Sequence, residues 1–332
     1  MKLTEIGEFG LIGRIRSDLE NFQKGAIIGI GDDTAAIEIS SEDLLLFTTD
    51  TLVEDVHFKW NYTSPFQVGQ KALAVNVSDI AAVGGRPTYC LISLGFPQDT
   101  EASLVDDLYK GLKEAASLYK VGIIGGDLVR SPVFIITVSL LGRVKKKRII
   151  FRSGAKKADL ICVTGKLGGA AAGLACLKRT DLKLNQSARE FLIKRHLMPS
   201  PRLVEAQEIA RKNLATAMID ISDGLVSDLT RLTEESGVGA ILWEDKLPVA
   251  SSTRDLAREL GKSPLEWALY GGEDYELLFT VSQDKKEKIE KNLDFSFALI
   301  GEIVDKREGV YLMDKTGTRT RTEGRGYNHF LK

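Results

Sequence analysis

Carboxylates stand in this chain at places that apolar or small residues would ordinarily fill. The segment GIGDDTAAI sets Asp32 and Asp33 after a Gly-x-Gly turn, and LLLFTTDTLVEDVHF ends an apolar run in Thr48, Thr49 and Asp50. ALAVNVSDIAAVGG reads as a helix apolar nearly all round, yet it carries Asn76 and Asp79, whose spacing puts them on one face. VGIIGGDLV places Asp127 directly after a glycine pair. TAMIDISDGLVSDL places Asp220 and Asp223 around Ser222 where a strand passes into a helix, and GGEDYELLF places Glu273 and Asp274 before another apolar strand. Taken singly, these have ordinary structural readings. Aspartate is a turn former, and Ser222 or Asp223 would cap the helix that follows. Asp79 is the exception, because a carboxylate in an apolar helix is costly unless it is paired or bound to a cation.

Taken together, the acids point to chemistry. The loops that carry them end strands or begin helices, so they can converge at one sheet edge. No comparable set of buried-looking lysines or arginines offers itself as partners. Crowded carboxylates repel one another, and a hard divalent cation relieves that repulsion; oxygen-only ligands select magnesium over zinc. Magnesium held by a few aspartates keeps positions open for phosphates. Glycine-flanked turns such as GIGDD and GGD let backbone amides approach phosphate oxygens. Metal plus phosphate cradle implies phosphoryl transfer, in which catalysis is positioning and charge neutralisation. A Walker A loop is absent, since neither Gly165-Lys166 nor Gly261-Lys262 has the upstream glycine, and GIGDDT lacks the third glycine of a dinucleotide fingerprint. His57, His196 and His329 have no HExxH spacing, which argues against zinc. His57, close after Asp50, reads either as a structural histidine or as a substrate contact.

Alternating short apolar strands and helices must position these groups, which predicts mixed α/β layers. Strands are expected at 44–48, 88–94, 133–141, 160–164, 216–221 and 276–281. Helices are expected at 65–83, 103–119, 169–177, 187–195, 202–213 and 225–235. A boundary is expected near 143–158, dividing an N-terminal domain, 1–148, from a C-terminal α/β domain, 149–332. The run Lys145–Arg148 reads as a solvated turn rather than a nucleic-acid patch, because 332 residues carry a net charge of only -1. The three cysteines, Cys90, Cys162 and Cys176, are far apart and odd in number, and read as free thiols in a reducing cytoplasm. The first ten residues have no apolar stretch of the kind a secretory leader needs, and 133–141 is too short to span a bilayer.

The segments GIGDDTA, TTDTLVEDVHF, KALAVNVSDIAAVGGRP, GGD, RSGAKKAD, VTGKLGGAAAGL, KRHLMPSPR, IDISDGL, GGEDYEL and GYNHF, in this order over nearly the whole chain, resemble the motifs of thiamine-monophosphate kinases. The wider superfamily contains aminoimidazole ribonucleotide synthetase and selenophosphate synthetase; the latter would carry a reactive cysteine near the N-terminus, and none precedes Cys90 here. The resemblance implies a two-domain aminoimidazole ribonucleotide synthetase-like fold and homodimerisation through the N-terminal sheets. It implies direct in-line transfer of the ATP γ-phosphoryl group to thiamine monophosphate. By motif, the magnesium ligands would be Asp33, Thr48, Thr49, Asp50, Asp79, Asp127, Asp220 and Asp223, with Asp50, Asp127 and Asp220 at the centre of catalysis. Gly126, Asp127, Arg152, Ser222 and Tyr109 would meet ATP, and His57, Glu273 and Tyr327 the thiamine phosphate. The chain departs from the pattern at Asp55 (usually glycine), Leu128 (often threonine), Asn328 (usually aspartate) and Thr48 (commonly serine). Rival readings are another ATP-using synthetase of the superfamily, a metal-dependent phosphatase built on the same aspartates, and a non-catalytic metal- or nucleotide-binding protein. No nucleic-acid or membrane partner is expected.

Overall fold

A computed structural model describes residues 2–23, 25–179, 181–322, 327, 329 and 330; Asn328 lies outside the described residues. The first half runs α1 (Leu3–Asp18), β1 (Ala26–Ile28), β2 (Ala35–Glu38), β3 (Asp43–Val53), α2 (Pro65–Ala82), β4 (Arg86–Phe96), α3 (Ala102–Tyr119), β5 (Gly122–Arg130) and β6 (Ile135–Lys145). Its strands form one sheet in the order β1-β2-β3-β6-β4-β5, antiparallel except for the β4–β5 pair, which α3 connects. Helix α2 starts at a capping box: the Ser64 hydroxyl accepts from the Gln67 amide at 3.3 Å, and the Gln67 side chain accepts from the Ser64 amide at 2.9 Å. Pro65 fills the first helical position. Helices α2 and α3 touch backbone to backbone, because a Cβ on Gly69 would lie 2.2 Å from the Leu108 carbonyl oxygen.

Along β3 the side chains alternate. Leu44, Leu46 and Leu52 are buried toward the helices, while Phe47, Thr49 and Thr51 emerge on the opposite face. That opposite face also exposes Tyr89 and Leu91.

The second half runs β7 (Leu160–Thr164), α4 (Gly169–Leu177), α5 (Gln186–Leu197), α6 (Leu203–Arg211), β8 (Ala217–Asp220), α7 (Leu225–Ser236), β9 (Gly239–Trp243), α8 (Ser251–Glu259), α9 (Pro264–Tyr270), β10 (Leu277–Val281), α10 (Lys286–Asn292), β11 (Phe297–Val304), β12 (Val310–Met313) and β13 (Arg319–Arg321). The sheet order is β13-β12-β9-β11-β7-β10-β8. Every residue of β7 and β10 is buried, as strands covered on both faces must be. Ile161, Val163 and Leu278 pack with Leu225 and Leu229 of α7, whereas Cys162, Leu277 and Phe279 pack with Ile209 of α6 and Ile289 of α10. Ala81, near the end of α2, joins this last cluster, so α2 is shared between the two sheets.

Three sequence expectations change. GGD is not a turn: Gly125, Gly126 and Asp127 lie inside β5, in register with Leu91, Ile92 and Ser93. Helix α1 was not foreseen, because its apolar residues have no sustained helical period and Gly7, at φ +65°, interrupts it. Buried basic residues do exist, and they are met below. Lys145 pairs with Glu42 and Asp43, and Lys146 with Glu38, as a solvated turn requires. All three cysteines are buried and free. Among the described residues no helix is long and apolar enough to cross a membrane.

Candidate active site

The acids converge from both halves onto α2. Asp50 is in register with Val138, a residue buried beneath the helices, so Asp50 and Thr48 face α2. The Thr48 hydroxyl donates to Asp79 at 2.5 Å. One residue earlier on α2, the Ser78 hydroxyl donates across to Asp220, the last residue of β8, also at 2.5 Å. Burial raises Asp79 well above the ordinary carboxylate range, and the charges of Asp50 and Asp220 raise it further. Burial and then Asp33 push Asp220 the same way. Asp50 rises to about 6 through burial, Asp223 and Asp33. Among the described residues no cation pairs with Asp50, Asp79 or Asp220.

Asp33 and Asp223 do have partners. Arg152 contacts Asp33, donates to the Gly31 carbonyl at 3.0 Å, and through its own amide binds Asp32 at 3.0 Å. Arg231 contacts Asp223 and lies 3.4 Å from Asp228. The expectation that the acids lack basic partners is therefore corrected for these two, and for Glu273 through Lys71, and holds for the central three. The helix cap is also corrected: neither Ser222 nor Asp223 caps α7. The buried Asp228 instead accepts from the Asp223 and Gly224 amides, each at 3.1 Å.

A second half-site adjoins the first through the Ser222 carbonyl, which accepts from the Glu273 amide at 2.7 Å. Glu273 has φ +68° and Tyr275 φ +49°, conformations that L-residues avoid. The loop is pinned around them. Asp274 accepts from the Gly168 and Ala170 amides at the start of α4, at 2.5 and 3.1 Å. Glu276, fully buried, binds Arg195, Arg202 and the Thr164 hydroxyl. Burial disfavours the charge on Glu273, but Lys71 at 2.5 Å and His196 at 3.0 Å overcome it and bring its pKa down to about 2. The charge of Glu273 is felt at His57, Tyr62 and Tyr327, so these side chains lie within its electrostatic reach. His329 lies between two of them, its ring 5.2 Å from that of His57 and 4.9 Å from that of Tyr327. The Tyr327 amide reaches the Asp223 carbonyl at 3.2 Å, which ties this aromatic group to the acid cluster.

The remaining candidates stand apart. The Thr49 side chain is on the open face, 3.1 Å from Ser139 and on the opposite side of β3 from Asp50. Asp127 is exposed on edge strand β5 and shares the open face with Ser93. Tyr109 packs against the first core near Cys90. Sequence reasoning missed Lys71, His196, His329, Tyr62 and Arg231. His196 and Arg195 lie within KRHLMPSPR, so that motif carried the signal, while Lys71 was hidden as one charge in an apolar helix.

The donor set suits magnesium. It is all oxygen, Asp33 keeps a buried oxygen without a partner, and the central carboxylates repel one another. Among the described residues no three acidic, histidine or cysteine side chains close around a single ion. Magnesium does not need that, because it binds through one or two carboxylates and fills its octahedron with phosphate and water.

The two sheets and the acids gathered on α2 define the class. Residues 31–144 match the AIR synthase related protein N-terminal domain, and residues 156–313 match the corresponding C-terminal domain. The chain is 41% identical to the thiamine-monophosphate kinase of Aquifex aeolicus (strain VF5) over 99% of its own length and 100% of the relative's. It is 39% identical to the thiamine-monophosphate kinase of Bacillus subtilis (strain 168), covering 91% and 93%. A solved structure described as AaThiL complexed with AMPPCP and TMP superposes with a TM-score of 0.88 at 40% identity, over 99% of both chains. Within the AIR synthase related proteins, this chain belongs to the thiamine-monophosphate kinase family.

Proposed function

We propose that the chain transfers the γ-phosphoryl group of ATP to thiamine monophosphate, giving thiamine diphosphate and ADP. The observation that supports this best is the meeting of two unlike half-sites at Asp220–Gly224. One is a set of buried and half-buried carboxylates without cations, and the other is a carboxylate held by Lys71 and His196 within electrostatic reach of His57, Tyr62 and Tyr327. The first suits metal-bound phosphates; the second suits a heteroaromatic acceptor. Asp33, Thr48, Thr49, Asp50, Asp79, Asp220 and Asp223 would hold magnesium, which would neutralise the phosphate charges as they approach; the family resemblance adds Asp127, which the structure sets on the open face of β5. Arg152 adds fixed positive charge on the nucleotide side, where Gly126, Ser222 and Tyr109 also belong. His57, Glu273 and Tyr327 orient the acceptor. An oxygen of the acceptor phosphate attacks the γ-phosphorus in line and ADP leaves, without a phosphoenzyme.

In this reading residues 1–148 form the nucleotide-, metal- and dimer-forming domain, and 149–332 the second. The exposed face bearing Tyr89 and Leu91 supports homodimerisation through the first sheet. Three free buried thiols support a cytoplasmic setting.

ADP release measured with magnesium and ATP tests the reading. Release that requires thiamine monophosphate and matches thiamine diphosphate formed is the expected result. Phosphate release without an acceptor would establish a phosphatase instead. Turnover only with aminoimidazole precursors or selenide would establish another synthetase of the superfamily.

A further inference from the structure

We infer that Lys71 and His196 are positioning residues that aim Glu273 at the acceptor, making α2 a determinant of acceptor specificity as well as a metal-binding helix. This rests on the acceptor-side placement of Glu273 proposed above.

The geometry is that of a clamp. Lys71 takes one carboxylate oxygen at 2.5 Å and His196 the other at 3.0 Å. Both clamping side chains are nearly inaccessible, at 3% and 4% exposed, whereas Glu273 keeps 27%. With an oxygen fixed from each side the carboxylate cannot rotate, and its main chain is fixed by the amide bond to Ser222. Each oxygen retains acceptor capacity on its accessible part.

The clamp joins the two halves of the chain. Lys71 belongs to α2 of the first half, and His196 to α5 of the second. Two helical turns after Lys71, Ser78 holds Asp220 in the same manner. One helix therefore registers the acceptor carboxylate and a metal-side carboxylate against each other.

The charge balance says what the clamp selects. Lys71 cancels the negative charge of Glu273, so the pair presents direction rather than a long-range field. A fixed, compensated carboxylate discriminates by accepting hydrogen bonds. It favours phosphorylated acceptors that carry an N–H donor on a heteroaromatic ring, and disfavours phosphates that lack one, which leave the buried acceptor unmatched.

The test is steady-state kinetics of the full-length enzyme with both substrates, with melting temperatures alongside. Lys71→Met should raise KM for thiamine monophosphate by about tenfold or more, as expected when a charge-assisted contact no longer aims its acceptor. KM for ATP should stay within about threefold. The double variant Lys71→Met/Glu273→Gln leaves no buried charge unpaired, so it remains informative if the single variant fails to fold. Its KM for the acceptor should equal that of Glu273→Gln alone. Equal rises in both KM values, or additive losses in the double variant, would reduce Lys71 to a pin between the two halves. If Glu273→Gln itself leaves acceptor KM unchanged, the acceptor-side assignment falls and takes the clamp with it. If Glu273→Gln raises that KM and Lys71→Met does not, only the clamp falls.

Discussion

Asp79 is partly buried, hydrogen-bonded by Thr48, and raised by burial together with the charges of Asp50 and Asp220. An asparagine in its place keeps the shape and can still accept from Thr48, but removes one repelling charge. Asp50→Asn and Asp79→Asn should each lower turnover by about two orders of magnitude or more, through lost charge neutralisation at the phosphates. In chelator, both variants should melt no lower than wild type, and they should gain less from magnesium and ATP. Asp127→Asn should match them in turnover but leave the chelated melt unmoved, because Asp127 is exposed on β5. Thermal melts with and without magnesium-ATP, read beside activity, decide this. A large loss of chelated stability with normal activity would make these aspartates structural. Asp55 offers a smaller lesson at this scale: its φ of +64° is a conformation that glycine adopts without steric cost.

The loop from Gly271 to Glu276 is the element on which the acceptor half-site depends. Two of its residues are held in left-handed conformations, which persist only when the surroundings over-determine them. Glu276 supplies much of that constraint, since Arg195 and Arg202 reach it from α5 and the start of α6. Replacing both arginines by methionine would leave a fully buried carboxylate without a cation. The expected cost is about 3–5 kcal/mol, the usual consequence of stranding one partner of a buried pair. Urea unfolding should record it as a lower midpoint, and the same variant should bind thiamine monophosphate more weakly because Glu273 loses its anchor. A midpoint unchanged within error would show that the network holds nothing in place.

For the molecule as a whole, crowded carboxylates make stability depend on pH. Asp50 is raised to about 6, Asp32, Asp228 and Asp274 to about 7, and Asp79 and Asp220 well above their ordinary values, each chiefly by burial. The folded chain thus holds protons that the unfolded chain has already released near pH 4. Stability must fall as pH rises from about 4 to beyond 7. Glu273 acts in the opposite sense, but its folded value near 2 confines its effect to pH below about 4.5. The chelated protein should melt about 3–6 °C higher at pH 5.5 than at pH 8, and saturating magnesium should shrink that difference. A chelated melt that is flat, or that rises with pH, would contradict the crowding.

Much of the candidate site is legible in the sequence. A carboxylate in the apolar helix around Asp79 needs a reason, and glycine-flanked acids at strand ends supply one together. Helices α2, α3, α4 and α7 were legible from their apolar content: α2 is buried nearly all round, and α3 along the stripe of Leu108, Leu112 and Ala115. Their cations were not legible. Arg195 and Glu276 are 81 residues apart, Lys71 and Glu273 farther still, and one-dimensional pattern carries no information on such pairs. Strand alternation says that Thr48 and Thr49 must face opposite ways, yet not which of them faces the acids. The pairing of β3 with β6 decides that, by setting Asp50 beside buried Val138. Strand β5 escaped because its glycines and exposed residues show no alternation, and only its hydrogen bonds to β4 make it a strand. The sequence by itself determined which chemical groups this protein has and the local elements that carry them, since both depend on near neighbours along the chain. Tertiary structure alone decided which acids share a space and which acquire a cation, because charge interactions depend on distances that only the packing of α2 between the two sheets defines.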